Sequence, residues 1–536
     1  MAIVRLCFLS AVAGLLLTGI SASQAIKFYP DDPLQADPKP VSVGEIKRAP
    51  VFEMYDYLYQ SSRPAPQNPV PAMGINTIGE VPDSAWFTNR HGRTPMTRAE
   101  LQRGPGNENA PQPPFTIIGA KTDGITPGFR IRDAKGRLFF VKPDPLTNPE
   151  LNTGAEVMGS KFFYAIGYNT PENYILRIRK TDWAIDKTAK IALNDQLSRK
   201  MTARDFSDIM AKAPLLPDGS FRVVASLAIP GKSLGPFRYE SARSDDPNDL
   251  IPHENRRDLR GLSVFCAWLN HTDAKASNSL NTLIQENGVS FVRHFLIDFG
   301  SAFGSDGDAP KDARLGHEYQ IPKPGGLLKP ILSLSLISPE WERARYPALK
   351  AEGRIESEIF DPELWKPNYP NPAFLNRRPD DEYWAAKIVL AFTDEDIRAL
   401  VETGEFSDPR VVEDLSKTLI QRRDKIGRSY LSTILPLDNF LVRDGELLFE
   451  DLAVRYKFRA ALQYRISWFK FDNDTGVLAP LPGESSFRLP NQFSSIEEGD
   501  YIAAKIHAGM DERKTVTVFL RKKGSDAQVA GLEREW

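Results

Sequence analysis

At 536 residues the chain is too long for one ordinary domain, and its 41% hydrophobic and 26% charged content is enough for a packed core. Lys and Arg number 68 against 70 Asp and Glu, so the chain lacks the basic surplus of a nucleic-acid binder. With 36 Gly and 42 Pro, together near average, collagen-like and low-complexity classes are excluded.

Arg5 introduces an apolar run ending at Ile20, followed by the small-x-small pattern Ser23-Gln24-Ala25. The run is shorter than the ~20 residues a membrane span needs. Residues 1–25 therefore read as a signal peptide cleaved after Ala25, and no later stretch is apolar enough to span. Removal leaves Cys266 as the one cysteine, so no intramolecular disulfide can form. The expectation is an exported protein, periplasmic or extracellular, with no transmembrane span in the mature chain.

Residues 26–114 form a proline-rich extension holding 15 of the 42 prolines. Its aromatics, among them Tyr55, Tyr57, Tyr59, Trp86 and Phe87, predict that it wraps the following domain and buries rings. Strands are predicted at Phe115 to Ile118 and Gly128 to Val141, the latter broken by a turn at Ala134-Lys135-Gly136. Thr153 to Glu156 reads as a capping box opening a helix that stops at Gly167. Arg222 to Ile229 is an apolar strand ended by Pro230-Gly231. The helical spacing of Leu259, Leu262, Cys266 and Leu269 predicts a core helix over 254–269. Asn281 to Gln285 and Ser290 to Ile297 flank Glu286-Asn287-Gly288, a hairpin signal. Helices follow at 381–391 and 408–434, the second with Pro409 in its first turn. Beyond Pro436 the pattern turns to short alternating strands, with a turn at Asp444-Gly445, and predicts a β-sandwich over 436–536.

Several chemistries are excluded by missing motifs. Gly231-Lys232-Ser233 lacks the first glycine of a phosphate loop, since Ser226 stands there. There is no GxGxxG, GxSxG or HExxH, and the six histidines form no metal-spaced pair. Cys266, mid-helix on the apolar side, reads as core.

One constellation carries chemistry. Asn270-His271-Thr272-Asp273-Ala274-Lys275-Ala276-Ser277-Asn278 follows the core helix, and Asp298-Phe299-Gly300 ends the hairpin. Phosphoryl transfer needs a carboxylate for the attacking hydroxyl, a cation for the γ-phosphate, and an amide oxygen plus a carboxylate for magnesium. Asp273, Lys275, Asn278 and Asp298 supply these in the order H-x-D-x-K-x-x-N … D-F-G.

Over 115–435 the chain resembles the protein-kinase-like fold, most like its HipA-type and secretory-pathway casein-kinase-like branches. The resemblance implies an α+β, two-lobed domain using ATP and Mg2+. It makes Lys142 the strand lysine on the α- and β-phosphates and Glu156 its ion-pair partner. The loop over the phosphates would be 119–128, with Gly119, Lys121 and Gly124 as nucleotide-binding residues, although it departs from G-x-G-x-x-G. The A-P-E segment is also missing, and 304–322 is polar and irregular. The implied activity is transfer of phosphate to a hydroxyl of a protein, glycan or lipid acceptor. AMP transfer on the same fold, or a pseudokinase scaffold binding through its C-terminal β-domain, are the alternatives.

Overall fold

The computed structural model describes residue 28 and residues 53–63, 66–121, 127–193, 197–321, 339–482, 486–509 and 511–536. The expected signal peptide and Gly124 lie outside the described residues.

The architecture is α+β and two-lobed, with a β-rich C-terminal part. In the first lobe, strands β1 (Phe115–Lys121), β2 (Gly128–Arg132) and β3 (Leu138–Pro143) precede helix α1 (Leu151–Ile166). Strands β4 (Asn173–Arg179), β5 (Trp183–Ala192), β6 (Ser198–Lys200) and β7 (Ser220–Leu227) follow, with helix α2 (Ala203–Met210) before β7. Among the described residues they form one sheet in the order β4-β7-β3-β2-β1-β5-β6. Alternation sets its two faces. Phe129, Ile131, Phe139 and Val141 point into a core closed by Ile209 and Met210 of α2. The intervening Arg130, Phe140 and Lys142 therefore point to the opposite face, the one over the cleft between the lobes.

Helix α1 is buried nearly all round, its Asn152, Thr153, Glu156 and Ser160 included, which places it within the molecule rather than on its surface. Its Met158, Phe162 and Phe163 join the core of the second lobe. That lobe is built on α3 (Arg257–Trp268), α4 (Pro379–Ala391), α5 (Asp394–Glu402) and α6 (Pro409–Thr433). Asp408 caps α6 by accepting from Arg410 N, and Pro409 occupies its first turn. Asp381 of α4 is buried between Arg257 (3.0 Å) and Arg260 (3.3 Å) of α3, locking the two helices. The hairpin β8 (Ser279–Glu286) and β9 (Val289–Leu296) turns on Asn287-Gly288, both at positive φ.

Trp86 and Phe87 of the proline-rich extension are buried in the second lobe's core, whereas Tyr59 is exposed. Toward the C-terminus, hairpin Leu437–Arg443 and Glu446–Asp451 faces an antiparallel sheet built from Tyr464–Asp472, Val477–Pro480, Tyr501–Ala508, Asp511–Lys523 and Asp526–Glu535. Leu437 and Leu447 of the hairpin share a core with Ile466, Ile502 and Val518 of the sheet. Phe28 stacks on Phe519 at 4.1 Å on the sheet's other face. Among the described residues no helix is long and apolar enough to cross a membrane.

Candidate active site

Lys142 is the last residue but one of β3, and Pro143 closes the strand, a place where proline is tolerated. Its Nζ lies 2.6 Å from Glu156 Oε1 and 2.8 Å from Asp298 Oδ1. The predicted capping box is not formed. Helix α1 begins at Leu151, with Glu150 at φ 70° as its N-cap, three residues before Thr153. Thr153 is held elsewhere: its amide and hydroxyl both donate to Asp144 at 2.9 Å, and Arg222 Nε donates to its hydroxyl at 2.8 Å. Glu156 is thereby free of cap duty. Its Oε1 takes Lys142, and its Oε2 accepts from the Phe299 amide at 3.0 Å.

Burial pulls Lys142 down, but the carboxylates of Asp298 and Glu156 outweigh it and hold the ammonium far above its ordinary range. Burial pushes Glu156 up, with Lys142 pulling against it. The Lys142 charge keeps Asp298 well below the usual carboxylate range. Lys142 and Asp298 are thus charged at neutral pH, with Asp298 half exposed to the cleft.

After α3 the chain passes Asn270 at φ 48° and enters the loop that carries Asp273. Asn278 Nδ2 donates to Asp273 Oδ2 at 2.8 Å and to its carbonyl at 2.9 Å. Lys275 Nζ stands 3.3 Å from Asp273 Oδ1. The hairpin pairs Ser279 with Leu296, and the Ile297 amide donates to the Asn278 carbonyl at 3.0 Å. Asn278 and Asp298 are therefore neighbours at the open end of the ladder. Asp298 adopts the left-handed conformation, φ 64° and ψ 71°.

Three residues join the site that no motif announces, two at this loop and one at the cleft. Asn368 Nδ2 donates to Asp273 Oδ1 at 3.3 Å, and its amide donates to the Thr272 carbonyl at 2.7 Å. Lys311, buried, donates to the Thr272 hydroxyl and to the Ser301 carbonyl, tying the loop to the segment after Asp298. Burial lowers Lys311 to about 8. Neither residue stands in a motif; each is identified by what it touches. The third, Arg130, lines the cleft.

The cleft itself is a cavity of about 590 Å³, within the range of small-ligand sites. Lys121, Arg130, Phe140 and Lys142 contribute from the sheet, and Leu280, Ile297 and Asp298 from the second lobe. Gly119 stands opposite Arg130 on β1, and Lys121 stands opposite Gly128 across the hairpin. The structure thus gathers Lys142, Glu156, Asp298 and Lys121 at one cavity, and links Asp273, Lys275 and Asn278 in one hydrogen-bonded loop beside it. Cys266 is fully buried, and burial raises its thiol far above the usual range, leaving it a core residue.

Among the described residues no cluster of three or more His, Cys, Asp or Glu forms a metal cage. The donors at the cleft suit magnesium nonetheless. Asn278 spends its Nδ2 on Asp273, which leaves the amide oxygen, and Asp298 supplies one half-exposed carboxylate. Magnesium takes few protein ligands and draws the rest from phosphate and water.

No family model and no curated protein matches the chain. Among solved structures it is similar to the Helicobacter pylori proinflammatory kinase CtkA, at 11% identity and TM-score 0.30, over 59% of this chain and 99% of that one. It is also similar to a Golgi casein kinase, at 10% identity and TM-score 0.29, over 75% of this chain and 96% of that one. Both likenesses are distant.

Proposed function

We propose that the chain is an exported ATP- and Mg2+-dependent phosphotransferase acting on an acceptor hydroxyl. The observation that supports this best is the Lys142–Glu156–Asp298 cluster at one end of the cavity, with Asn278 and Asp273 joined beside it. Magnesium would be held by Asp298 and Asn278 and would neutralise phosphate charge. Lys142, fixed by two carboxylates, is positioned to hold the α- and β-phosphate oxygens. Asp273, held through both oxygens by Asn278, Asn368 and Lys275, has one task left: to accept the proton of the incoming hydroxyl. The acceptor oxygen bonds to the γ-phosphorus as the bond to the β-phosphate oxygen breaks, while Lys275 steadies the transferring group. Catalysis is then placement and electrostatics, without a covalent enzyme intermediate.

The test is transfer of label from γ-labelled ATP to the protein itself, or to protein, glycan and lipid acceptors. Lys142→Ala should raise the Michaelis constant for ATP and slow turnover together. Label transferred from the α-phosphate would assign AMP transfer instead. Magnesium-dependent ATP binding without any transfer would leave the scaffold reading. Export rests on the apolar run ending at Ile20, and mass spectrometry of the secreted chain should find Ile26 at its N-terminus.

A further inference from the structure

The cleft face of the sheet carries two rows of side chains that differ in kind. Register pairs Lys121 with Gly128 and Lys142 with Val224, and Gly128 stands against Lys142, its Cβ position 3.6 Å from the lysine Cγ. This row meets Asp298 and marks the phosphate end. Two residues back along the strands, register sets Gly119, Arg130, Phe140 and Ser226 side by side.

In that second row Arg130 lies across Gly119. Its Nη2, Nε and Cζ sit 2.6, 2.9 and 3.2 Å from where a Cβ on residue 119 would stand. Any other residue at 119 would displace the guanidinium. Among the described residues no carboxylate or carbonyl pairs with Arg130, and its neighbour Phe140 is 45% exposed although it lines the cavity. Leu280 and Ile297 of the second lobe line the same cavity from the other side. The result is a slot with a guanidinium and a ring above and two aliphatic side chains below.

The wall of the slot offers few amide donors to a base edge. At the end of β7 and just past it, the amides of Leu227 and Ala228 already donate to the carbonyls of Glu172 and Leu138, at 2.9 Å each, and Pro230 has no amide. Ile229 is left with the one donor of residues 227–230.

Building on the nucleotide reading above, we infer that Arg130 and Phe140 hold the base of the nucleotide by stacking, so that the site accepts ATP and GTP alike. A guanidinium and an aromatic ring stack on any nucleobase face, which makes such binding tolerant of base identity. A single amide donor serves adenine N1 or guanine O6 equally, so the donors of this wall do not choose between the two bases.

Calorimetric titration of the full chain with adenosine, ATP with magnesium, and GTP with magnesium tests this. The two triphosphates should bind within about threefold of one another, and Arg130→Ala should weaken adenosine and ATP by the same factor, roughly tenfold. Phe140→Leu, which keeps an apolar side chain, should act in the same direction. If Arg130→Ala weakens ATP and spares adenosine, Arg130 serves the phosphates and the stacking slot is overturned. A preference for ATP over GTP of about a hundredfold overturns the relaxed base choice. A wild-type chain that binds adenosine through Arg130 but gains nothing from triphosphate and magnesium keeps the slot and overturns the phosphotransferase reading. Binding of none of the three overturns both.

Discussion

Asn368 donates its side-chain amide to Asp273 Oδ1 at 3.3 Å from a loop 95 residues further along the chain. With Asn278 on the other oxygen, it fixes the plane of the carboxylate. In the proposed reaction, orientation of this kind acts on the transfer step rather than on nucleotide binding.

Asp273→Asn should therefore leave ATP affinity nearly unchanged while transfer falls by ~10²–10⁴-fold. Asn368→Ala should lower kcat by a smaller factor, about tenfold, with little change in KM for ATP. Steady-state kinetics and calorimetry on the two variants distinguish these effects. Equal loss of binding and turnover in Asp273→Asn would exclude the proton-accepting role.

Asp298→Ala should abolish the magnesium dependence of ATP binding while the chain stays folded, because the side chain is half exposed and its partner Lys142 keeps Glu156. Asn278→Ala should weaken the same binding less, since an amide oxygen carries no full charge. It should also slow transfer, because Asn278 holds Asp273. Titrations of ATP with and without magnesium, beside thermal melts, read both effects.

Gly159→Ala should dislodge Phe299. A Cβ at 159 would stand 2.5 Å from Phe299 Cβ, in a site where α1 and Asp298-Phe299-Gly300 pack without space. Overpacking of this kind costs about 1–3 kcal/mol. Because the Phe299 amide binds Glu156, metal-dependent nucleotide affinity should fall along with Tm. A fall in Tm alone would separate packing at this glycine from the site.

Stability should decline in acid through His294. The ring is buried, stacked on Trp86 at 3.5 Å, and bonded through Nδ1 to Asn281 Oδ1 at 2.8 Å. Burial, reinforced by His253 and Arg256, holds it neutral well below its ordinary value of 6.5. The unfolded chain thus binds a proton below that value while the folded chain does not, so stability is full above it and is lost as pH falls. The slope is about 1.4 kcal/mol per pH unit for one such group. Replacing His294 by Gln should flatten the dependence of Tm on pH between 6.5 and 5. An unchanged slope would assign the acid sensitivity to other groups, such as the buried His91 and His271, which burial also lowers.

Local pattern carried much of the fold. Alternation in 128–141 and 464–468, the Asn287-Gly288 and Asp444-Gly445 turns, and Pro409 behind Asp408 all lie where the residues predict. Strands β4 to β6 and helices α2 and α5 were not legible, because β4 is only partly buried and much of β5 and β6 is exposed, so neither keeps a clear period. At the site, the pairing of Asn278 with Asp298 was readable because one hairpin with a local turn connects them.

By itself the sequence determined what depends on neighbours in the chain: element periods, caps, turns, and the spacing of Asp273, Asn278 and Asp298. Only the tertiary structure decided what those groups do in company. Thr153 is an adequate cap by local rules, yet Asp144 and Arg222 take its hydroxyl, so that Glu156 is released to Lys142. Arg130 reads as one exposed residue of a strand until Gly119 lets it lie over the cleft. Lys311 and Asn368 acquire their roles from loops brought to Thr272 and Asp273. Hydrogen bonding and desolvation depend on which atoms share a volume, and that is set by how distant segments pack rather than by any segment's own order of residues.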